Sequence, residues 1–207
     1  MIATYVGATA AVVAGLLAIY VSVIRPRLRI PRLSVVSSAG DPHTFAYVSS
    51  SDGWHGAWGR LRVANAPGHD TAEDVEIMVV DITSPRGTRI ETLTPLSGRL
   101  LKWAGVDQYS RSIPPGVSIR FDVIKFGLSS DGTRLEKRVC IYPRSRLDQL
   151  NRIDSPNTQV VVVVALCARN INARFYEIEI ECNGSSWDGM PPMPISMRVR
   201  KLRRWSP

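Results

Sequence analysis

The stretch VVVVVALCARNINARFYEIEIEC, residues 160–182, decides the fold because it holds two different strand patterns with a turn between them. Every residue of Val160–Cys167 is apolar, which is typical of a central strand covered on both faces. Between Tyr176 and Cys182 apolar residues alternate with glutamates, which is typical of a strand with one face in a core and the other in water. With the joining residues Ala168–Ile171, the stretch predicts an antiparallel β-hairpin.

The apolar strand needs cover on both faces, and an opposing sheet covers only one of them. The segment Ser145–Ile153 carries leucine and isoleucine at helical spacing and is followed by Pro156, so a short crossover helix over the sheet is one candidate for the cover. The other candidate is an oligomer or partner, because exposed apolar patches mark interfaces. The sequence leaves both interpretations open.

A period of two recurs through the rest of the chain. This alternation predicts two more strands, each with one apolar face. The apolar face of the first is Val75, Ile77 and Val79, and that of the second is Val117, Ile119, Phe121 and Val123. Further strands are expected at 28–36, 57–65, 88–92, 99–103, 134–142, 159–167 and 195–201. Breakers containing proline or glycine separate them. Many short strands with turns between them predict an all-β, antiparallel sandwich or barrel over residues 33–201.

The three cysteines, Cys140, Cys167 and Cys182, are an odd number and include no C-x-x-C pair. All of them lie in apolar or alternating runs, which is typical of small buried side chains in a reducing compartment. The predicted hairpin places Cys167 beside its turn and Cys182 at its far end. These two residues are therefore not expected to form a disulfide with each other.

The N-terminal segment Ile2–Ile24 contains no charged residue and is rich in Ala, Val, Ile and Leu. A helix needs about 20 apolar residues to span a bilayer. A cleaved signal peptide would carry a basic region ahead of a shorter apolar core, and no basic residue precedes this segment. Residues 1–24 are therefore predicted to form a transmembrane anchor.

Basic residues follow the apolar segment at once, in the juxtamembrane stretch 25–32, and none precedes it. They are Arg25, Arg27, Arg29 and Arg32. Because Lys and Arg close to a span stay on the cytoplasmic side, we expect the N-terminus outside and the body of the chain in the cytoplasm. The same arginines are expected to contact anionic lipid headgroups.

Small residues recur at every fourth position of the apolar segment, at Ala3, Gly7, Ala11 and Gly15. Such a stripe lets two membrane helices approach closely, so a homo-oligomer formed through this helix is one interpretation. The segment is so rich in alanine that a span without a helical partner is an equally good one.

The net charge of +8 comes from the two ends of the chain. Nine of the 26 basic residues lie in the stretch 25–32 and at 198–204, which leaves 17 basic against 18 acidic residues in the body. This distribution argues against a nucleic-acid-binding face. The basic tail, 202–207, is either a solvated terminus or a second headgroup contact made by Arg203, Arg204 and Trp205.

The sequence carries no recognisable catalytic or metal-binding motif. The histidines His43, His55 and His69 form no H-E-x-x-H or other i, i+4 pair, and none adjoins a cysteine. Motifs of phosphate binding, dinucleotide binding and serine hydrolysis do not occur. The acidic residues from Asp70 to Glu76 lack the spacing of a calcium loop. We therefore predict no metal, no cofactor and no enzymatic activity.

Three tryptophans, Trp54, Trp58 and Trp103, lie in predicted loops or near strand ends. Aromatic side chains at such places are enriched at protein interfaces, which makes these three candidate contacts for a partner. The alternative is that they close the ends of the domain core.

The stretch LRVANAPGHDTAEDVEIMV, Leu61–Val79, resembles the strand–turn–strand signature of prokaryotic immunoglobulin-like modules. The matching positions are Arg62, Val63, Asn65, Gly68, Ala72, Glu73, Asp74 and Val75. The run Leu100–Val123, with a tryptophan near a strand end and I-P-P-G opening a strand, is similar to uncharacterised bacterial membrane-anchored proteins. The resemblance covers roughly a quarter of the chain and implies an immunoglobulin-like β-sandwich without assigning an activity.

Together these patterns predict a single-pass protein of the bacterial inner membrane with an immunoglobulin-like antiparallel β-sandwich in the cytoplasm. The expected function is a non-enzymatic interaction module whose partners are membrane lipids and an unidentified protein. An extracytoplasmic cell-envelope or adhesion module is one alternative, and it requires the arginine signal to be overridden. A membrane-associated enzyme or effector is another, and it requires distant histidines and carboxylates to converge.

Overall fold

The computed structural model describes residues 2–37, 45–49, 55–84, 98–106, 108–128, 135–139, 141–142, 159–182 and 195–203. Within these ranges a helical N-terminal segment is followed by twelve β-strands. The strands, which follow the alternating and apolar runs of the sequence, make up most of the described chain, so the all-β expectation for the body is confirmed.

The N-terminal helical segment changes its hydrogen-bond pattern just before Pro26. Its parts are α1 (Ile2–Ile19), a π-helical turn (Tyr20–Ile24) and α2 (Arg25–Leu28). Proline has no N–H and its ring crowds the carbonyl four residues back, so a regular α-helix is interrupted there. The wider turn accommodates this, since the Arg25 N–H donates to the carbonyl of Tyr20, five residues back. Among the described residues, no helix combines the length and the apolar character needed to cross a membrane.

The twelve strands are short to medium in length and span the whole body. In chain order they are β1 (Leu33–Val36), β2 (Phe45–Ser49), β3 (His55–Asn65), β4 (Ala72–Thr83), β5 (Leu100–Trp103), β6 (Arg111–Ile113), β7 (Ser118–Leu128), β8 (Leu135–Val139), β9 (Ile141–Tyr142), β10 (Val160–Ala168), β11 (Ile171–Cys182) and β12 (Ile195–Lys201). The strands expected at 57–65, 99–103, 159–167 and 195–201 are confirmed, and the one expected at 134–142 corresponds to β8 and β9.

Two differences from the sequence-based expectation concern strand positions, and one expected strand is not tested. The strand expected at 28–36 begins only at Leu33, because residues 25–28 are helical. Strands β2 and β6 were not expected at all. The strand expected at 88–92 lies outside the described residues.

The strands form one antiparallel sheet that curls towards closure. Along its main path the order is β1-β3-β7-β5-β4-β10-β11-β12, while β2, β6, β8 and β9 pair with β3, β4, β7 and β5 respectively. The two ends of this path, β1 and β12, lie close to each other. The result is a nearly closed, barrel-like sheet, and a division into the two facing sheets of a sandwich is not confirmed.

Two side chains of β11 reach the edge of β1, where the barrel-like sheet is not closed. Arg174 Nη1 donates to the Leu33 carbonyl at 2.5 Å, and the Tyr176 hydroxyl lies 3.5 Å from the same oxygen. An unpaired strand edge is a template for pairing with other chains. These two contacts occupy the edge of β1 at its first residue.

The inward faces of the strands form a single apolar core. It includes Leu33, Leu61, Val63, Val75, Ile77, Val79, Leu101, Trp103, Ile113, Phe121, Ile124, Val162, Val164, Leu166, Tyr176, Ile178 and Ile180. Trp103 and Phe121 meet edge to face, with ring centroids 6.3 Å apart. The alternation read in β4 and β11 therefore identifies core-facing residues correctly.

The hairpin predicted for residues 160–182 is present as β10 and β11, joined by a two-residue turn. β10 lies between β4 and β11, as expected for a strand that is apolar on both faces. Its outward residues Val163 and Ala165 are only 7% and 1% exposed, so the chain itself covers the outer face at these positions. The crossover helix expected over Ser145–Ile153 lies outside the described residues.

Candidate functional site

From Val12 onwards, the helical segment presents its large apolar side chains to the surroundings. From Val12 to Ile24, the large apolar side chains of this segment are 43–63% exposed. Leu28 and Ile30 continue the pattern, with 61% and 50% of their surface exposed. Apolar surface on this scale marks a site of contact with a membrane or another protein.

The predicted headgroup residues cluster at the end of the helical segment. Arg25, Arg29 and Arg32 are exposed, and Arg27 lies in α2. Arg203, just past β12, is exposed as well. Arg204 and Trp205, which were expected to make the same kind of contact, lie outside the described residues.

The small-residue positions Ala3, Gly7, Ala11 and Gly15 all lie in α1. Ala11 and Gly15 are exposed, and a Cβ added to Gly15 would have no atom within 4 Å. The helix therefore has room for a neighbour along this side at Gly15. A helix–helix contact through the four positions stays a prediction.

The segment that follows the helix is fastened to the β3–β4 turn, and we call this contact the junction (Arg29–Arg32 with Asn65–Asp70). Four hydrogen bonds form it: Asp70 N–H to the Arg29 carbonyl at 2.6 Å, His69 Nδ1 to the Ile30 carbonyl at 2.8 Å, Ala66 N–H to the Arg32 carbonyl at 3.1 Å, and Arg32 N–H to Asn65 Oδ1 at 3.1 Å. The basic stretch is therefore an ordered connection and not a free tether.

Asn65 organises the junction from inside the body. Its side chain is buried, and while Oδ1 accepts from Arg32, Nδ2 donates to the carbonyls of Asp70 at 2.8 Å and Ile113 at 3.0 Å. Buried polar atoms are costly unless they are hydrogen-bonded, and here both ends of the amide are satisfied. Asn65 belongs to the R-V-x-N run of the sequence, which marked the position but not its role.

His69 contributes to the junction in a way that sequence analysis missed. It lies in the turn after β3. Its Nδ1 is 2.8 Å from the Ile30 carbonyl, and because a carbonyl only accepts, Nδ1 must carry the hydrogen in this contact. The two residues are 39 apart in the chain, so no local pattern could have indicated the bond.

A second polar feature lies on the outer face of β7. Asp122 is 3% exposed although alternation places it on the water-facing side, and Arg60 Nε donates to its Oδ1 at 2.7 Å. Burial raises the pKa of Asp122, and the hydrogen bond and charge of Arg60 act in the opposite direction. The pair is a structural contact between β3 and β7.

The acidic residues near the start of β4 are partly neutralised by the β10–β11 turn. Arg169 pairs with Asp74 and approaches Glu73 at 3.6 Å, while its backbone N–H donates to the Glu73 carbonyl at 2.9 Å. Asp74 adopts a positive φ of 49° where β4 bulges away from β6. A structural role therefore explains these carboxylates.

The described residues contain no group of three or more His, Cys, Asp or Glu side chains placed to hold a metal ion. Within this part of the chain Cys167 is a free thiol, and burial followed by the charge of Glu76 raises its pKa. A raised pKa favours the unreactive thiol over the thiolate. The register of the hairpin keeps Cys167 near the turn and Cys182 at the far end, as predicted.

The basic residues near the C-terminus are mostly part of the sheet. Arg200 lies opposite Glu177 with a bidentate ion pair at 2.8 and 2.9 Å, and Arg198 lies opposite Glu179. These two charges are therefore balanced by β11. Of the basic C-terminal residues that the structure describes, Arg203 is the one past the last strand.

The predicted partner contacts differ in their surroundings. Trp103 is fully buried, and its Nε1 donates to the Tyr109 carbonyl at 3.1 Å, which fits the alternative that it closes the core. Trp58 is half-buried in β3 with the Lys125 ammonium 5.4 Å from its ring centroid, a cation–π distance. Trp54 lies outside the described residues. Of the two that the structure describes, Trp58 is the one whose side chain is partly exposed and available for contact with a partner.

Comparison with known proteins gives no family for the chain. No family model matches it, and neither the curated proteins nor the solved structures include a significant match.

Proposed function

We propose that the chain is a membrane-tethered, non-enzymatic interaction module with an immunoglobulin-like β-domain on the cytoplasmic side of a bacterial inner membrane. One observation carries the proposal: the large apolar side chains from Val12 to Ile24 are exposed, and arginines follow immediately. The uncharged stretch Ile2–Ile24 supports a bilayer as the apolar surroundings of this segment.

The arginines support the orientation. Arg25, Arg29 and Arg32 are exposed at the end of the helical segment, and residues 1–24 contain no basic residue. Positive residues close to a span are retained in the cytoplasm. The β-domain is fused to the arginine side through the junction and therefore lies on that side.

The polar groups of the described body support a binding module over an enzyme. Asn65 and His69 are engaged in the junction, and Asp122 is engaged with Arg60. Each of these contacts gives its polar groups a partner within the fold, so a structural role accounts for Asn65, His69 and Asp122. The immunoglobulin-like interpretation rests on the residues that resemble that signature and on the antiparallel sheet.

The first test is to fuse alkaline phosphatase and a fluorescent protein separately to Pro207 and to wash the membranes with alkaline carbonate. Retention in the washed membranes, fluorescence and no phosphatase activity are the expected results. Phosphatase activity without fluorescence would make the extracytoplasmic envelope module the better proposal. Release by carbonate would overturn the anchor itself.

The second part of the test concerns the partner. Crosslinking from a photoreactive residue at Trp58 in intact cells is expected to give a discrete protein adduct. A matched probe at Ser112, which is exposed on β6, serves as the control. Identical adducts from both positions, or none from either, would contradict an interaction surface at Trp58.

A further inference from the structure

The C-terminal end of β12 lies beside the first residue of β1, which brings the two basic ends of the chain together. Tyr176 of β11 makes the connection, since it is the Cα partner of Lys201 and its hydroxyl lies 3.5 Å from the Leu33 carbonyl. Cα atoms of β1 and β12 come within 8 Å of each other. Arg32, the last residue of the basic stretch 25–32, immediately precedes Leu33 and therefore lies next to the end of β12.

The β11–β12 ladder carries Arg203 to the same place. Beyond β12 it continues for one residue, because the Leu202 N–H donates to the Phe175 carbonyl at 2.9 Å. Arg203 follows Leu202 directly and is exposed. Arg174, next to Phe175, donates from Nη1 to the Leu33 carbonyl at 2.5 Å. This end of the ladder is therefore fixed against the start of β1.

Five exposed basic residues thus share one end of the β-domain, and we call them the basic cluster (Arg25, Arg29, Arg32, Lys201 and Arg203). The junction holds Arg29 and Arg32 by backbone atoms and not by their guanidinium groups. Arg25 is tied to them because its carbonyl accepts from the Arg29 N–H at 3.1 Å. The backbone therefore fixes the positions of these residues while their side chains remain exposed.

The acidic residues that the structure describes beside the basic cluster offset its charge only in part. Asp70 adjoins the cluster through its N–H bond to the Arg29 carbonyl, and its side chain is exposed. Glu177, on β11, is occupied by its bidentate ion pair with Arg200. Positive charges held close together repel one another, and an anion between them lowers that energy. The basic cluster is therefore suited to an anionic ligand.

The position of the basic cluster suggests which anion it meets. The four residues of α2 extend about 6 Å at 1.5 Å per residue, and the polar headgroup layer is about 5–8 Å thick on each side of the hydrocarbon. If the hydrocarbon ends near Ile24, as the proposed anchor implies, then Arg29 and Arg32 lie at the level of the headgroups. The exposed apolar residues Leu28 and Ile30 lie between the arginines, a pattern typical of segments in a membrane interface.

We propose that the basic cluster is a binding site for anionic lipid headgroups, in which Lys201 and Arg203 from the C-terminal end act together with Arg29 and Arg32 from the N-terminal end. This inference rests on the proposed function, because it takes the helical segment to be in the bilayer. It also decides between the two interpretations of the basic tail, since it places the start of the tail at the membrane. The contact docks the last strand of the β-domain on the headgroup layer.

The first test uses native mass spectrometry to measure phosphatidylglycerol bound to the full chain in neutral detergent, with phosphatidylcholine as the reference lipid. Lys201→Gln combined with Arg203→Gln is expected to weaken phosphatidylglycerol binding by roughly fivefold per residue removed. Phosphatidylcholine binding should not change. The matched control, Arg198→Gln with Arg200→Gln, removes the same charge from β12 opposite two glutamates of β11 and should have little effect. An equal loss from both pairs, or no loss from the first pair, would overturn the proposal.

A mutant cycle tests whether the two ends of the chain form one site. Arg29→Gln with Arg32→Gln should weaken phosphatidylglycerol binding to a similar extent. Combined with Lys201→Gln and Arg203→Gln, the loss should differ from the product of the two separate losses, because residues that share a ligand are coupled. Independent losses would place the two pairs at separate sites and contradict the basic cluster.

Two further measurements separate this inference from the proposed function and from a site for free anions. A chain released from carbonate-washed membranes contradicts the anchor and hence the proposed function. A retained chain whose lipid binding does not depend on Lys201 and Arg203 contradicts the basic cluster alone. Inorganic phosphate is not expected to displace phosphatidylglycerol more than chloride does at equal ionic strength. Complete displacement by phosphate would assign the site to a free anion and overturn the lipid assignment.

Discussion

The backbone N–H of Arg32 donates to Oδ1 of Asn65 at 3.1 Å, across 33 residues of sequence. This bond joins the last arginine of the basic stretch 25–32 to the end of β3. The same amide reaches Asp70 and Ile113, so a single buried side chain holds three separate segments together. The position of the helix relative to the β-domain therefore depends strongly on Asn65.

Replacing Asn65 with alanine is expected to destabilise the β-domain by about 2–4 kcal/mol, because one N–H and two carbonyls lose their partner in a buried place. Urea unfolding in detergent, followed by tryptophan fluorescence, measures the loss. Hydrogen exchange at the Asp70 amide, which bonds to the Arg29 carbonyl, should accelerate as well. Asn172→Ala, at an exposed position of β11, is the control and should change little.

Replacing Asn65 with aspartate, which has the same shape but carries a charge, gives a more specific version of the same experiment. Asn65→Asp keeps the shape of the side chain but replaces the donor Nδ2 with a carboxylate oxygen, which then faces the carbonyls of Asp70 and Ile113. At neutral pH the substitution should therefore be at least as destabilising as alanine. Protonation restores one donor, and the variant should recover part of its stability below the pKa of the new carboxyl. A variant as stable as the parent at neutral pH would show that Nδ2 does not donate as described.

Gly59 allows β12 to approach β3, and its replacement by alanine is expected to cost about 1–3 kcal/mol through overpacking. A Cβ there would lie 2.6 Å from Cγ2 of Ile124 and 3.1 Å from Sδ of Met197. Because Ile124 is branched at Cβ and stiff, the conflict cannot be relieved by a simple rotation. Chemical unfolding of Gly59→Ala measures the cost.

A double-mutant cycle identifies the contact responsible. Gly59→Ala combined with Ile124→Ala should be less destabilised than the two single effects predict, because the smaller side chain leaves room for the new methyl group. Gly59→Ala combined with Val63→Ala, a buried position further along β3, should be additive. Additivity in both pairs would contradict a close approach between Gly59 and Ile124.

The strands could be read from the sequence wherever several periods of alternation occur. β4 and β11 are examples, with Ile77 and Ile178 on the buried face as expected. Strand β6, Arg111–Ile113, is too short to show a period, and it pairs with β4 at an irregular register. Strand β2, Phe45–Ser49, is similarly short and lies between polar runs. Short edge pairings depend on the neighbouring strand, which local sequence does not encode.

Only the local features of the candidate site could be predicted from the sequence. These are the arginines and the apolar stretch before them, and the sequence identified both. The junction is not local, since His69 contacts Ile30 across 39 residues. Asp122 shows the same limit: alternation gave its direction correctly but not its burial, which depends on Arg60 and on the surroundings of β7.

Removing Arg60 is expected to destabilise the domain in a pH-dependent way. Arg60→Met leaves the Asp122 carboxylate buried without its partner, which at neutral pH should cost about 3 kcal/mol. Arg60 lowers the pKa of Asp122 against the effect of burial, so without Arg60 that pKa rises further above 3.8. As the pH is lowered from neutral towards 4, more of the buried carboxyl is protonated, so the cost of the substitution should fall. Urea unfolding of parent and variant at both pH values gives the difference.

Two comparisons complete this experiment. In the parent, the raised pKa means that the folded state holds the Asp122 proton more tightly than the unfolded state, so this group's contribution to stability falls as pH rises above 3.8. Asp122→Asn should remove that slope. Arg200→Met, which breaks the exposed pair with Glu177, should have a much smaller effect at both pH values. A cost for Arg60→Met that does not change with pH would contradict the assignment.

The orientation of the chain in a membrane should follow the arginines next to the apolar segment. The test variant replaces Arg25, Arg27 and Arg29 with glutamine and carries three arginines inserted after Met1. It should change the Pro207 fusions from fluorescent to phosphatase-active, because positive residues near a span are retained in the cytoplasm. The matched control replaces Arg198, Arg200 and Lys201 by glutamine, which removes the same number of charges from β12, far along the chain from the span. This control should leave the fusions unchanged. If the altered chain stays fluorescent, the arginines do not determine the orientation. If the control also inverts, total charge and not its position is the determinant.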